Sequence, residues 1–306
     1  MIDLRLYYSD SYWIPLPEGH KFPMEKYHLV REALNRSGGF EFVQAGFARR
    51  EQIELAHDPE YVGRFLEGTL DPRVLRRIGF PWSQGLVERT LASVGGTMAA
   101  AQEALDSGFG GNLAGGTHHA SRSEGSGFCV FNDLAVSIQW LRSTGQVERA
   151  AVIDLDVHQG DGTAAIFLDD PDVFTFSMHG RNNFPLVKPP SRLDVDLDDG
   201  VGDDEYLRIL EESLPGVFEF DPGVVFFQTG VDGLSSDRLG RLSLTHDGLW
   251  QRDRMVMESC RTYGIPLVAT LGGGYSAPIE LSVEAHANTF RMAKRVFAGT
   301  AIALRA

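Results

Sequence analysis

Three polar residues at alternating positions close an apolar run in the middle of the chain. In the segment from Ala151 to His158, Asp154, Asp156 and His158 are spaced by two. On a strand this spacing points all three side chains to one face, where polar groups are costly unless something pairs them. Carboxylate oxygens and one imidazole suit zinc, iron(II) or manganese. The segment therefore predicts a metal site at a strand end.

A further candidate ligand, Asp232, follows a second apolar run, Val224–Gln228. The carboxyl ends of parallel strands meet at one edge of a sheet, so Asp232 is expected beside Asp156 and His158. Three protein ligands with an open position are typical of catalytic zinc, whereas structural zinc usually has four. The plainer interpretation, that these acids cap helices and bind nothing, stays open for Asp232 taken singly.

Two adjacent histidines, His118 and His119, follow Gly115-Gly116-Thr117 in a glycine-rich segment. Hydrolysis at a metal requires a base for water and an acid for the leaving amine, and imidazole can serve as both near neutral pH. Asp154 and Asp161 remain outside the set of three metal ligands. We predict that these two carboxylates orient the two rings.

A tyrosine, Tyr275, follows three glycines and the apolar run Leu267–Leu271. The glycines allow a sharp turn and a close approach of the backbone to a ligand, which makes Gly274 a candidate for substrate contact. The Tyr275 hydroxyl is a candidate donor to a developing oxyanion. The competing interpretation is a turn followed by a packing aromatic residue.

The elements that must position these residues alternate between apolar runs and helical patterns. The predicted strands are Leu4–Tyr8, Ala150–Leu155, Val173–Phe176, Val224–Gln228 and Leu267–Leu271. The predicted helices are Leu86–Leu105, Asn132–Arg142, Asp203–Leu214, which is expected to stop before Pro215, and Asp247–Tyr263. This alternation predicts an α/β protein with a central, mainly parallel sheet and helices on both faces.

Length and composition indicate an ordinary globular chain. It has 306 residues, of which 43% are hydrophobic and 23% charged, and we expect a single domain over residues 1–306. Its two cysteines, Cys129 and Cys260, exclude a disulfide scaffold and form no CxxC pair for a thiolate zinc site. Residues 1–5 lack a signal-peptide pattern, and no apolar run reaches membrane-spanning length. The expected compartment is the cytoplasm, and no membrane partner is expected.

The net charge of −14 argues against a general nucleic-acid-binding protein, which requires a basic surface. An acidic surface attracts cationic partners such as lysine-rich tails or polyamines. Solubility alone is the preferred explanation of the charge. The oligomeric state is not readable from the sequence.

Taken in order, five motifs resemble the zinc-dependent histone deacetylase family, in particular its bacterial members and its class IV branch. The resemblance begins at His57-Asp-Pro-Glu-Tyr61 and ends at Tyr275. Its motifs are Gly-Gly-Thr-His118-His119-Ala, Ser126-Gly-Phe-Cys-Val-Phe-Asn-Asp133, Asp154-Leu-Asp-Val-His158-Gln-Gly-Asp161-Gly, Gly230-Val-Asp232 and Gly-Gly-Gly-Tyr275. Each motif alone is weak, but five in family order are specific.

The resemblance implies an arginase/deacetylase α/β fold and hydrolysis of the amide of an acylated lysine or amine. It implies one catalytic zinc ion, for which iron(II) is an alternative, and a structural monovalent cation, usually potassium. The positions that match the zinc ligands are Asp156, His158 and Asp232. Those that match the monovalent-cation site are Asp154, Asp156, His158, Ser177 and Met178.

The resemblance also assigns catalytic and substrate-binding roles. His119 matches the general base and acid, His118 its electrostatic partner, and Tyr275 the oxyanion donor. The carboxylates behind the two histidines match Asp154 and Asp161. The rim and walls of the acyl-lysine tunnel match Gly127, Phe128 and Leu239, with Gly274 in the glycine segment.

Two positions depart from the family pattern. Phe184 is a candidate for a second phenylalanine of the tunnel wall, although the usual Pro-Gly loop is missing, and Thr229 replaces a usual cysteine. Tunnel shape and acyl-chain length therefore stay open. The alternative functions are an acetylpolyamine amidohydrolase, an arginase-like ureohydrolase with two manganese ions, and an acyl-lysine-binding module without activity. The arginase-like site would require more aspartates around each metal, at positions that His118, His119 and Tyr275 take in this sequence.

Overall fold

The strands of the computed structural model, which describes residues 3–298, form one parallel sheet. These strands are β1 (Leu4–Tyr8), β2 (Phe40–Gln44), β3 (Phe109–Asn112), β4 (Ala150–Asp154), β5 (Val173–Gly180), β6 (Leu193–Leu197), β7 (Val224–Gln228) and β8 (Leu267–Thr270). Their order across the sheet is β2-β1-β3-β8-β7-β4-β5-β6. The parallel sheet that the sequence predicts is confirmed.

Helices of the described residues cover both faces of this sheet. They are α1 (Lys26–Ser37), α2 (Arg50–Ile53), α3 (Pro59–Glu67), α4 (Pro72–Ile78), α5 (Gln84–Ser107), α6 (Asp133–Ser143), α7 (Asp161–Phe167), α8 (Asp203–Glu219), α9 (His246–Tyr263) and α10 (Glu280–Phe297). Two apolar cores result. One packs α1, α8, α9 and α10 against the sheet, and the other packs α3, α5 and α6 against its opposite face.

The central strand β4 shows why its sequence is almost continuously apolar. Ala151 and Ile153 contribute to the first core, whereas Ala150 and Val152 contribute to the second. Side chains alternate between the faces of a strand, so a strand covered on both sides needs apolar residues at every position. The fold is therefore the predicted α/β class, with helices on both faces.

The predicted helices are present, but one ends later than expected. The sequence predicts that the helix beginning at Asp203 stops before Pro215, whereas α8 continues to Glu219 and contains this proline. Proline removes one backbone hydrogen bond from a helix. Val217 and Phe218 are buried in the last turn while Pro215 itself is exposed, and this burial offsets the lost bond.

The strand boundaries differ from the predictions by small amounts. The strand expected over Ala150–Leu155 ends at Asp154, and that expected over Leu267–Leu271 ends at Thr270. The strand expected over Val173–Phe176 continues to Gly180. Residues 1–2 and 299–306 lie outside the described residues, so the single domain over 1–306 stays a prediction. Within residues 3–298, no helix combines the length and apolarity that crossing a bilayer requires.

Candidate active site

Four loops meet where the neighbouring strands β3, β8, β7 and β4 end, and they carry the chemistry-bearing residues. His118 and His119 follow β3, and Tyr275 follows β8. Asp232 follows β7, and Asp156 follows β4. Because all four strands are parallel, their carboxyl ends form one crevice, which is the usual ligand position in open α/β sheets.

The three predicted metal ligands form a compact cluster. Ligand atoms of Asp156, His158 and Asp232 all lie within 4.8 Å of one another. The His158 Nδ1 atom is 3.0 Å from Asp156 Oδ1 and 3.1 Å from Asp232 Oδ2. Two carboxylates and an imidazole nitrogen are donors that zinc and iron(II) accept. This donor set fits one divalent ion, and we call it the three-donor cluster.

The reason for this convergence differs from the one that the sequence suggests. Strand β4 ends at Asp154, so Asp156 and His158 lie on the loop beyond it and not on one face of a strand. Neighbouring glycines leave room for the carboxylates instead. A Cβ atom on Gly230 would overlap the Asp156 carboxylate, and one on Gly273 would overlap that of Asp232.

The charges of the three-donor cluster are strongly coupled. Burial raises the pKa of Asp232 to about 6, and the neighbouring charge of Asp156 adds to the rise. Burial opposes protonation of His158, yet the charges of Asp232 and Asp156 outweigh it and raise its pKa to about 10. Two buried carboxylates require a positive partner. A proton on His158 and a metal cation are alternative ways of supplying it.

The paired histidines each contact their predicted carboxylate. His118 Nδ1 is 2.7 Å from Asp154 Oδ2, and His119 Nδ1 is 2.6 Å from Asp161 Oδ1. The two ring centroids are 4.1 Å apart. A carboxylate on Nδ1 fixes the ring orientation and leaves Nε2 of each histidine as the atom able to meet a ligand.

The two imidazoles have opposite protonation tendencies. For His118, burial disfavours the charged form, but Asp154 and Asp156 outweigh it and raise the pKa to about 9. For His119, burial and then the charge of His118 lower the pKa to about 4. A neutral His119 beside a charged His118 can accept a proton, and the pair can then return it.

Tyr275 is buried at the wall of the crevice, and its backbone is held in place. Its N–H donates to Asp237 Oδ2 at 2.6 Å, and its carbonyl accepts from Arg238 Nε at 3.0 Å. Burial, followed by the charge of Asp232, raises the pKa of the hydroxyl well above its usual value. The phenol therefore stays protonated and can donate a hydrogen bond.

Two supporting acids were missed by the sequence reasoning. Asp237 also accepts the N–H groups of Leu239 and Gly240, so one carboxylate fixes two segments of the wall. Asp133 accepts the N–H groups of Gly116 and Thr117 at 3.0 and 2.7 Å, which holds the loop before the histidines. Asp133 stands in a recognised motif, but nothing in the spacing indicates which loop it supports.

A cavity of about 590 Å³ connects these residues to the surface. Gly127, Phe128 and Leu239 line it, as predicted from the family resemblance, and Phe184 does as well. The ring of Phe184 lies 4.9 Å from that of His119 and is 44% exposed, which places this residue at the cavity mouth.

Gly274 does not line the cavity among the described residues. A Cβ atom at this position would meet the side chains of Val231, His286 and Ser282 on the far side of the loop. Gly272 and Gly273 line the cavity instead. The substrate contact at Gly274 stays a prediction, and the structure places its two neighbours, not Gly274, on the cavity wall.

The predicted monovalent-cation residues are adjacent but do not all point the same way. Ser177 pairs with Asp154 in the register between β4 and β5. Met178, the next residue, is buried in the first core. Successive side chains of a strand point to opposite faces, so Met178 can offer only its backbone to a site shared with the Ser177 side chain. The Ser177 hydroxyl is 2.9 Å from His179 Nδ1.

Comparisons with known proteins agree on one family. A sequence model of the histone deacetylase domain matches residues 20–290. An uncharacterised protein of Picosynechococcus sp. is 46% identical over 294 residues, which cover 95% of this chain and 98% of that protein. Histone deacetylase 2 of Arabidopsis thaliana is 30% identical over 89% of this chain and 74% of its own length. Histone deacetylase 6 of the same plant is 33% identical over 84% of this chain and 58% of its own.

Proposed function

This chain belongs to the histone deacetylase family and is a hydrolase that acts on amide bonds, and we propose that it removes acyl groups from lysine side chains with the help of one zinc ion. The observation that carries the proposal is a juxtaposition in one cavity. The three-donor cluster lies beside two imidazoles that each have their own carboxylate, and Tyr275 lines the same cavity.

Asp156, His158 and Asp232 would hold the divalent ion, and iron(II) is the alternative to zinc. Such an ion, when bound, supplies a Lewis acid for the amide carbonyl and lowers the pKa of water. The fit rests on the three converging donors and on the buried negative charge that they carry. A monovalent cation, potassium by preference, would lie near Asp154, Asp156 and His158, with Ser177 and Met178 contributing from β5.

His119 would take the proton from the attacking water and return it to the leaving amine. Its neutral form, oriented by Asp161, is suited to accept that proton. His118, paired with Asp154, would keep a positive charge next to the reacting carbonyl. The assignment gives the proton transfer to His119, its orientation to Asp161, and the electrostatic support to His118 and Asp154.

Tyr275 would donate a hydrogen bond from its hydroxyl to the oxygen that becomes negative in the tetrahedral intermediate. Asp237 would position this phenol through the backbone N–H of Tyr275. Gly127, Phe128 and Leu239 would enclose the lysine chain, with Phe184 opposite at the mouth. An aliphatic stem between aromatic rings loses its water on binding, which favours an acyl-lysine over a branched amide.

The cavity favours a lysine side chain over a polyamine. Among the described residues that line it, the acids are Asp156 and Asp232, both in the three-donor cluster. The two arginines at the mouth, Arg77 and Arg241, are paired with Glu124 and Asp199. A second ammonium group of a polyamine would therefore find no carboxylate outside the three-donor cluster on the described cavity wall.

The test is a substrate panel with protein whose metal content has been measured. Acetyl-lysine peptide, other acyl-lysine peptides and acetylated polyamines are incubated with zinc-loaded protein, and the free amine is quantified. We expect turnover of acyl-lysine peptides with one zinc per chain and inhibition by a hydroxamate. Turnover of polyamines alone would move the substrate to that class, and two manganese ions per chain would favour the arginase-like alternative.

A further inference from the structure

The cavity has an exposed end and a buried end. At the mouth, Phe184 is 44% exposed, and the side chain of Arg77 is 54% exposed. At the other end the wall is buried except for the half-buried Phe22, and it comes partly from α5. We call this part, lined by Phe22, Tyr27, Leu86, Arg89 and Val94, the inner chamber. A two-carbon acyl group would fill only a small part of a cavity of about 590 Å³.

A chain of aromatic rings connects the inner chamber to Tyr275. The rings of Tyr275 and Phe128 are 6.3 Å apart, and those of Phe128 and Phe22 are 5.2 Å apart. The guanidinium carbon of Arg89 then lies 5.7 Å from the Phe22 ring and 4.5 Å from the Tyr27 ring. Since Phe128 would enclose the lysine chain, the acyl chain has the Tyr275 and Tyr27 side of the cavity, where the Lys26 ammonium lies 5.5 Å from one ring and 5.3 Å from the other, as its way towards Arg89.

Arg89 is a buried cation without a carboxylate partner in the part of the chain that the structure describes. The residue is 9% exposed, and no ion pair within 4.0 Å involves it in residues 3–298. After burial, which lowers its pKa, Tyr27 acts on Arg89 most strongly; Asp10 acts more weakly, and Arg31 already holds Asp10 at 2.9 Å. Arg89 lies against the faces of the Phe22 and Tyr27 rings, and neither ring supplies the negative charge that a guanidinium pairs with.

A second buried cation reinforces the positive potential of this region. The Lys26 ammonium lies 5.3 Å from the centroid of the same Tyr27 ring and donates to the Gly272 carbonyl at 2.9 Å. Both cations are removed from water, and a buried charge is costly unless an opposite charge accompanies it. The planar guanidinium matches a carboxylate through two parallel hydrogen bonds.

We propose that the inner chamber binds the terminal carboxylate of an acyl chain, and that the preferred substrates are lysines carrying ω-carboxyacyl groups such as succinyl or glutaryl. This inference rests on the proposed function, since it names the acyl group of the same reaction. Hydrolysis adds one water across the amide bond and yields the lysine amine and a free dicarboxylate. Arg89 takes no part in this step; its role is limited to selecting the acyl group.

The experiment compares two peptides that differ only at the end of the acyl chain. Glutaryl-lysine and pentanoyl-lysine have acyl chains of equal length, and the ratio of their kcat/KM values is measured with zinc-loaded wild-type protein. Hydrogen bonds between charged groups are stronger than neutral ones, so we expect a ratio of about 10 or more in favour of glutaryl. Arg89→Gln should lower the ratio to about one or below, and Arg89→Lys should retain part of it.

A ratio taken within each variant does not depend on the amount of folded protein. Arg77→Gln is the matched control, because it removes a cation from the mouth of the same cavity, and it should leave the ratio unchanged. A wild-type ratio below one, or an equal ratio in wild type and Arg89→Gln, would overturn the inference. Arg89-dependent inhibition by free carboxylates with a wild-type ratio near one would also overturn it, because Arg89 would then serve the released product.

Binding of both peptides, measured by calorimetry, separates this inference from the proposed function. Arg89-dependent preference for the glutaryl peptide without turnover of any acyl-lysine would support the inner-chamber site and contradict the deacylase proposal. Turnover of pentanoyl-lysine or acetyl-lysine without any effect of Arg89 would support the deacylase proposal and contradict the inner-chamber site.

Discussion

Two buried charged clusters lie next to the same loops, and only one of them is balanced. On α9, Arg252 forms an ion pair with Asp253 at 2.8 Å, and Thr289 donates to the other carboxylate oxygen at 2.6 Å. The remaining guanidinium hydrogens go to backbone carbonyls, including that of Gly230 at 2.6 Å. Both charged side chains are almost completely buried. We call this group the Arg252 cluster.

The three-donor cluster differs in charge and in access. Its two carboxylates have the His158 imidazole between them and lie on the wall of the cavity. The Arg252 cluster pairs one cation with one anion and does not line this cavity in the described residues. A closed, balanced network stabilises a particular arrangement of loops, whereas an open site with excess negative charge is suited to bind a cation.

The two clusters are connected through the backbone. Arg252 donates to the carbonyls of Leu155, Thr229 and Gly230. Leu155 directly precedes Asp156, and Gly230 is two residues before Asp232. The balanced cluster therefore holds the two loops that deliver the carboxylates of the unbalanced one. The Arg252 cluster therefore serves stability, and the three-donor cluster is the candidate for the chemistry. Substitutions in one cluster can test its role separately from that of the other.

The largest expected effect is that of Asp232→Asn. The amide retains an oxygen that can accept the Val157 N–H, which Asp232 accepts at 2.9 Å, but it removes one of the two negative charges. We expect zinc content and acyl-lysine turnover to fall below detection. The unfolding free energy of metal-free protein should stay within about 1 kcal/mol of wild type or rise, since repulsion with Asp156 is relieved.

Asp253→Asn is the matched control, because it is also a buried aspartate changed to its amide. It should reduce stability and leave the zinc content of the folded protein close to that of wild type. Urea unfolding and metal analysis of both variants test the comparison. If Asp232→Asn destabilises metal-free protein as much as Asp253→Asn does, the three-donor cluster is structural.

The second prediction concerns Arg252→Met. Removing the cation leaves Asp253 buried without its partner, and breaking a buried pair in this way costs about 3–5 kcal/mol. Urea unfolding should show this loss, while turnover per folded molecule should decrease far less than in Asp232→Asn. The double variant Arg252→Met/Asp253→Leu should recover part of the stability. A double variant as unstable as the single one would contradict the assignment of the cost to an unpaired charge.

The third prediction is for Tyr275→Phe, which removes one hydroxyl from the cavity and no charge. We expect zinc content and stability close to wild type and a decrease in kcat of ~10²–10³, which is typical for loss of one oxyanion donor. Turnover at the wild-type rate would show that the hydroxyl has another role. Tyr27→Phe, on the wall of the inner chamber, is a control for the loss of a phenol in the same cavity.

The sequence predicts the fold class, and it predicts the residues that converge at the candidate site better than the residues that support them. Parallel strands with continuous apolar runs, such as β7, are visible because both faces are buried. The strand β3, Phe109–Asn112, was missed because it contains two glycines, and β6, Leu193–Leu197, because it alternates acidic and apolar residues at a sheet edge.

Supporting residues escaped prediction for a different reason. Arg252 holds the Gly230 carbonyl and Asp237 the Tyr275 N–H, both far away in the sequence, so the spacing gives no signal of these contacts. Arg89 lies within an amphipathic helical pattern, where a cation is usually expected to face water, but α5 places it on the cavity wall. Long-range contacts decide such roles, and only the fold provides them.

The smallest expected effect concerns a histidine outside both clusters. His57 is fully buried, its Nε2 accepts the N–H of Asn132 at 2.8 Å, and no carboxylate within 4.0 Å pairs with it in residues 3–298. Burial lowers its pKa from 6.5 to about 4. His118, with a carboxylate at 2.7 Å, shows the opposite shift.

Because the pKa of His57 is lower in the folded state, unfolded protein binds the extra proton between pH 6.5 and about 4. The contribution of His57 to stability is therefore complete above pH 6.5 and is lost as the pH falls towards 4. Relative to pH 7, wild type should lose about 2 kcal/mol more at pH 5 than His57→Gln does. Urea unfolding of both proteins at the two pH values measures the difference. Equal pH dependence of the two proteins would mean that His57 is already charged at pH 5 in the folded protein. Burial without a carboxylate partner would then not lower the pKa of a histidine in this protein.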